Sequence, residues 1–201
     1  MEGNGAKRAT IGRLTSHDGA LLVIDLQERL LGVMSDRSLV VDNTIRLIHG
    51  ATLLHLPVIA TEQYPKGLGP TIPEIAALVP HRPSKTLFHC CEAVGLMDPL
   101  GGDPIKHVTL AGIEAHVCVA QTAVELLRLG YTVQIAADAV TSRKSIDRDF
   151  ALRRLEHAGA VVSTTEAILF EWTERSDRPE FKAISRLVKL SDTRQPEGLT
   201  S

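Results

Sequence analysis

The sequence predicts an α/β protein, a three-layer α/β/α sandwich built on a mostly parallel six-stranded sheet. Three observations carry this. Six short apolar runs of strand length recur along the chain, segments with helical spacing or helix-end signals separate most of them, and the runs show little of the in–out alternation of a half-exposed strand. Continuous apolar strands divided by helices belong to a parallel sheet covered on both faces.

Residues 20–25 (ALLVID) form the first strand, an apolar run that ends in an acid. In 38–56, Val41, Ile45, Ile48 and Leu53 recur at helical spacing, and Pro57 marks the stop. The second strand is 57–61 (PVIAT). The next dozen residues, 62–73, carry Pro65, Gly67, Gly69 and Pro70, with Pro73 at the end, so they read as a long loop. Loops of that length inside a compact domain are commonly functional or disordered. A short helix over 73–79 and a strand at 85–88 follow. The strand 107–111 (HVTLA) leads through Gly112 into a helix over 116–129, with Gly130 placed as its C-terminal stop. A strand at 132–137 with Asp138 at its tip, a helix over 147–157, a strand at 160–163 and one or two closing helices complete the run.

With 201 residues the chain fits one domain, expected over 18–190 with flexible tails at 1–17 and 191–201. A net charge of −2 with the two signs interspersed leaves no basic stripe, which argues against a nucleic-acid partner. No apolar stretch is long enough for a bilayer, and the N-terminus lacks the apolar core of a secretory signal. Three cysteines, an odd number, do not suggest a disulfide framework, so a reducing cytoplasm is the expected compartment. No Gly-x-Gly-x-x-Gly follows a strand, there is no phosphate-binding Gly-Lys-Ser/Thr, and the eight histidines are scattered. The sequence therefore calls for no cofactor and no metal.

Open parallel sheets bind ligands beyond the carboxyl ends of their strands, where the strand order reverses. That rule singles out Asp25, the loop after Thr61, and the turn 112–118 (GIEAHVC). Cys118 falls near the first turn of a helix, where free N–H groups and the helix dipole are expected to push a thiol toward thiolate and to hold an oxyanion. A lone cysteine is more commonly a packing residue, and Cys90 and Cys91 are read that way. Asp25 could cap a turn, and Lys85 by itself would be assigned to the surface.

The motifs themselves resemble a known family. Residues 22–27 (LVIDLQ) resemble the Asp-x-Gln first-strand motif of isochorismatase-like hydrolases, Lys85-Thr86-x-Phe88 their lysine motif, and 112–119 (GIEAHVCV) their nucleophile turn. The stretch 61–71 (TEQYPKGLGPT), with Asp138-Ala139 and Ser142-Arg143, is similar to the subgroup of isochorismatase domain-containing proteins. The resemblance spans about residues 18 to 190 and implies a Rossmann-like sheet, a homo-oligomer, and a catalytic set of Asp25, Lys85 and Cys118. It further implies a non-proline cis peptide between Ile113 and Glu114, and an oxyanion hole from the Glu114 and Cys118 N–H groups. In that mechanism Cys118 attacks a carbonyl, Asp25 takes its proton, and Lys85 stabilises the thiolate and orients the carboxylate. Gln27, Gln63, Tyr64 and Phe88 are candidates for a substrate pocket. Nicotinamidases of the family carry an Asp-x-His metal motif where this chain has Glu62-Gln63-Tyr64, which disfavours metal-assisted nicotinamide cleavage.

The function expected is hydrolysis of a small amide or related acyl compound through a thioester. Two alternatives stand beside it: vinyl-ether cleavage of the isochorismatase type using Asp25 and Lys85 alone, and a non-catalytic redox sensor.

Overall fold

The computed structural model describes residues 13–93 and 105–189. The tails expected at 1–12 and 191–201 lie outside them. Residues 13–17, also expected in a tail, pack on the domain: Leu14 and Ser16 are buried, and the Thr15 carbonyl lies 2.7 Å from His107 Nε2.

Six strands, β1 (Gly19–Ile24), β2 (Val58–Gln63), β3 (Ser84–Lys85), β4 (His107–Ile113), β5 (Thr132–Thr141) and β6 (Val161–Ser163), form one sheet in the order β3-β2-β1-β4-β5-β6. Every pairing is parallel. Successive side chains of a strand point to opposite faces. In β1, Leu21 and Val23 accordingly join the core under α2 (Arg37–Leu53), α7 (Thr165–Thr173) and α8 (Phe181–Lys189). Ala20, Leu22 and Ile24 join the opposite core under α5 (Ala120–Arg128) and α6 (Ser145–His157). Trp172 and Leu187 on one side, and Val119 and Leu126 on the other, seal these cores with almost no solvent exposure. The result is the three-layer α/β/α sandwich.

The remaining helices are single turns: α1 (Glu28–Leu31), α3 (Pro65–Leu68) and α4 (Pro73–Ala76). Helix α2 ends at Leu53, short of the expected Pro57 stop, because His55 takes a left-handed conformation at φ 60°. The His55 and Leu56 amides then return to the Thr52 and Ala51 carbonyls, the hydrogen-bond pattern of a Schellman C-cap. Gly130 does the same for α5 at φ 91°, where the sequence placed a stop. Strand β5 runs past Asp138 to Thr141 through a bulge in its pairing with β4. Asp138 is therefore no strand tip; its carboxylate accepts from the Thr165 amide and hydroxyl at the start of α7.

Strand order reverses between β1 and β4, so the site lies at their carboxyl ends. Gly112 brings the two together. It pairs with Ile24 at φ 116°, and a Cβ there would meet the Ile24 carbonyl oxygen at 2.1 Å. Only glycine fits so close a backbone approach with a positive φ.

Candidate active site

Asp25 follows β1 directly, is fully buried, and takes a left-handed backbone conformation at φ 54°. Its Oδ2 accepts from Lys85 Nζ at 2.8 Å and its Oδ1 from Thr61 Oγ1 at 2.8 Å. The thiol of Cys118 faces the same carboxylate, whose charge and hydrogen-bonding capacity both work to keep the proton on the sulfur. Sheet pairing supplies these neighbours: Ile24 sits beside Thr61 on β2 and beside Gly112 on β4. Strand β3 reaches only the end of β2, pairing Gln63 with Lys85, and so turns the lysine inward. Lys85, which its sequence context alone would leave on the surface, is buried.

The strand expected at 85–88 is shorter, Ser84–Lys85, because Lys85 Nζ folds back on the chain that follows it. Besides Asp25 it donates to Gln63 Oε1 at 2.6 Å, to the Phe88 carbonyl at 3.2 Å and to the Leu87 carbonyl at 3.4 Å. Burial works to lower the lysine's pKa, but the charge and hydrogen bond of Asp25 outweigh it, and the net shift is upward. Lys85 is thus an ammonium at neutral pH.

Cys118 lies within a π-helical turn, Ala115–Val119, that leads into α5. The peptide between Ile113 and Glu114 is cis. The sequence led us to expect a thiol shifted toward thiolate, and the structure reverses that. Burial pushes the Cys118 thiol well above its ordinary range, the Asp25 carboxylate adds to this, and Lys85 only partly offsets it. A thiol facing a carboxylate keeps its proton until something draws the sulfur away.

The turn is clamped by the two residues that follow β5. Arg143 donates to Glu114 Oε2 from its backbone N at 3.0 Å and its Nε at 3.1 Å, and His116 Nδ1 lies 2.9 Å from Ser142 Oγ. The Glu114 side chain therefore points to Arg143, and only its backbone amide is left to serve an oxyanion.

The four side chains expected around a substrate divide into two pairs. Gln27 is buried; its Nε2 donates to the Gln63 and Gly69 carbonyls and its Oε1 accepts from the Gln63 amide. Gln63 is buried too, with its amide between Lys85 Nζ and the Thr86 carbonyl. Tyr64 and Phe88, in contrast, are 53 % and 51 % exposed. Tyr64 lines a cleft of about 430 Å³ that Lys85, Leu87, His89 and Glu92 also border. Glu62, on the other side of β2 from Gln63, accepts from the Thr71 amide and hydroxyl and closes the 64–71 loop.

Sequence reasoning missed Thr61; Cys90, read as a packing residue, does lie in the core on the α5 and α6 side of the sheet. The Cys90 thiol is buried 3.6 Å from Thr61 Oγ1, and burial raises its pKa to about 11. A signal for Thr61 was present: residues 61 and 63 stand two apart at the end of the strand beside β1, hence on one face.

The isochorismatase domain model matches residues 19–167. The chain is 44 % identical over 183 residues to isochorismatase domain-containing protein 2 of Danio rerio, covering 90 % of this chain and 91 % of that protein. Among solved structures it is similar to the MAR1 ribonuclease of Caenorhabditis elegans, with TM-score 0.84, 38 % identity, and coverage of 94 % and 98 %. It also resembles the YcaC gene product of Escherichia coli, described as an octameric hydrolase of unknown specificity. There the TM-score is 0.80 at 26 % identity, with 87 % and 88 % covered.

Proposed function

The chain belongs to the isochorismatase family, and from that premise we propose that it is a cysteine hydrolase cleaving the C–N bond of a small amide or a related acyl bond. The observation that carries the reading is a Cys118 thiol set against a fully buried carboxylate that also accepts from an ammonium.

In the first step the Cys118 proton passes to Asp25 as the sulfur attacks the substrate carbonyl, and the carbonyl oxygen becomes an oxyanion. The backbone amides of Glu114 and Cys118 are assigned to that oxyanion. Collapse breaks the C–N bond, and Asp25 delivers its proton to the departing nitrogen. The resulting thioester is attacked by water, which loses a proton to Asp25, and expulsion of the thiolate, reprotonated from Asp25, restores Cys118 and releases the acid. Lys85 stays protonated throughout, stabilising the thiolate and holding the carboxylate in place. The substrate is assigned to the cleft beside Tyr64, with Phe88 near its rim and Gln27 and Gln63 behind the wall.

The test is a panel of simple amides and activated esters with intact-mass detection of an acyl group on Cys118. An acyl adduct that appears in the wild type and is absent from Cys118→Ala supports the reading. Turnover of a vinyl ether that survives Cys118→Ala would replace it with the isochorismatase chemistry. Oxidation of Cys118 without acylation by any member of the panel would replace it with a sensor. An RNA belongs in the same panel because of the name of the C. elegans neighbour. A cytoplasmic homo-oligomer is proposed on the family likeness; light scattering on the purified chain tests the assembly.

A further inference from the structure

The Lys85 ammonium has three protons to donate and four acceptors around it, the shortest contact being to Gln63 Oε1 at 2.6 Å. One proton goes to Asp25, one to Gln63, and the third is left for the neighbouring carbonyls of Phe88 and Leu87. The lysine side chain is only 3 % exposed, so water cannot take the place of a lost acceptor. Without Gln63, the ammonium would lose its shortest contact and with it a constraint on its position beside Asp25.

Gln63 is built to stay where it is. Its Nε2 donates to the Thr86 carbonyl at 2.9 Å, which obliges Oε1 to face the ammonium. The opposite orientation would set an NH2 group against an NH3+ group. Its backbone is held on both sides by one residue: the Gln63 amide donates to Gln27 Oε1 at 2.7 Å, and the Gln63 carbonyl accepts from Gln27 Nε2 at 3.0 Å. Gln27, just past the end of β1, thus braces the backbone of the one glutamine that meets the ammonium.

We propose that Gln63 is a positioning residue: its amide oxygen, fixed by Gln27 and Thr86, aims the Lys85 ammonium at Asp25 and so sets how readily Cys118 gives up its proton. This rests on the hydrolase reading above, but it is measurable without a substrate. The rate at which iodoacetamide alkylates Cys118, followed by peptide mass spectrometry across the neutral and alkaline range, reports thiolate formation directly. Mapping separates Cys118 from Cys90 and Cys91, and Cys118→Ala is the blank.

Gln63→Met keeps the length of the side chain and removes the acceptor. Its labelling should fall about tenfold at neutral pH, with the profile displaced upward by about one pH unit. In Gln63→Glu the introduced carboxyl, while protonated, reproduces both bonds of the amide, and its ionisation should add a second inflection to the profile. Unmoved profiles in both variants, whatever their melting temperatures, would overturn the proposal by leaving Gln63 a role in packing alone. If Gln63→Met does not fold, the Gln63→Glu profile decides: a new inflection supports the assignment and an unchanged curve removes it. A wild-type Cys118 that resists alkylation at every pH would overturn the hydrolase reading and this inference with it. Labelling that is normal in the wild type and unchanged in the variants overturns only the role of Gln63.

Discussion

Replacing Lys85 by Met takes one ammonium out of a cavity in which it serves four acceptors, and leaves the Asp25 carboxylate with no access to water. Breaking a buried pair by removing one partner costs about 3–5 kcal/mol, because the other charge stays behind unpaired. For a domain of this size, each kcal/mol is worth roughly 2–4 °C of melting temperature, so the variant should melt roughly 6–20 °C below wild type. The cost should be largely recovered in the double variant Asp25→Leu/Lys85→Met, where no charge remains to be buried. Urea denaturation of the wild type, the two single variants and the double variant closes the cycle. The sign of the pH dependence follows from the upward shift of Lys85 from 10.5. A group whose folded-state pKa is raised contributes fully below its unfolded value and loses that contribution as pH climbs through the folded value. The gap between wild type and Lys85→Met should therefore stay level from neutrality to 10.5 and narrow only above it. A cost of less than about 1 kcal/mol, the range of exposed pairs, would refute a buried ion pair at this position.

Other consequences can be checked on the purified protein. Thr61→Val keeps the shape of the side chain and removes the donor to Asp25 Oδ1. It should cost about 1.5–3 kcal/mol in chemical denaturation, and an undiminished stability would place that bond outside the folded state. Gly112→Ala sets a methyl against backbone atoms of Ile24 that cannot yield; a loss of about 4 kcal/mol or more is expected, and a denaturation midpoint near wild type would refute the close approach. The Cys90 thiol, raised from 9.0 to about 11 by burial, contributes stability that is intact below 9.0 and lost by about 11, a change of about 3 kcal/mol. Melting curves recorded across that range should fall more steeply for the wild type than for Cys90→Ala, and parallel curves would contradict the assignment.

Much of the architecture was legible locally. Apolar runs of strand length, the spacing along α2, and the glycine after α5 each depend on neighbours within one or two turns, so the sequence alone determined the alternation of strands and helices. The motif resemblance located Asp25, Lys85 and Cys118. Even the misplaced boundaries have local causes, in the left-handed His55 and the bulge that carries β5 past Asp138. What only the tertiary structure decided is how these residues meet. Asp25 and Lys85 are 60 positions apart and Gln27 and Gln63 are 36 apart, and nothing in the chain between them records which atoms will touch. Parallel pairing of β1 with β2 and of β2 with β3 sets those ends side by side, and burial then leaves each polar atom dependent on the others. The protonation of Cys118 was decided at the same level. The start of a helix favours a thiolate, but the carboxylate and the dry core brought against it by the sheet favour the thiol, and at that range they win.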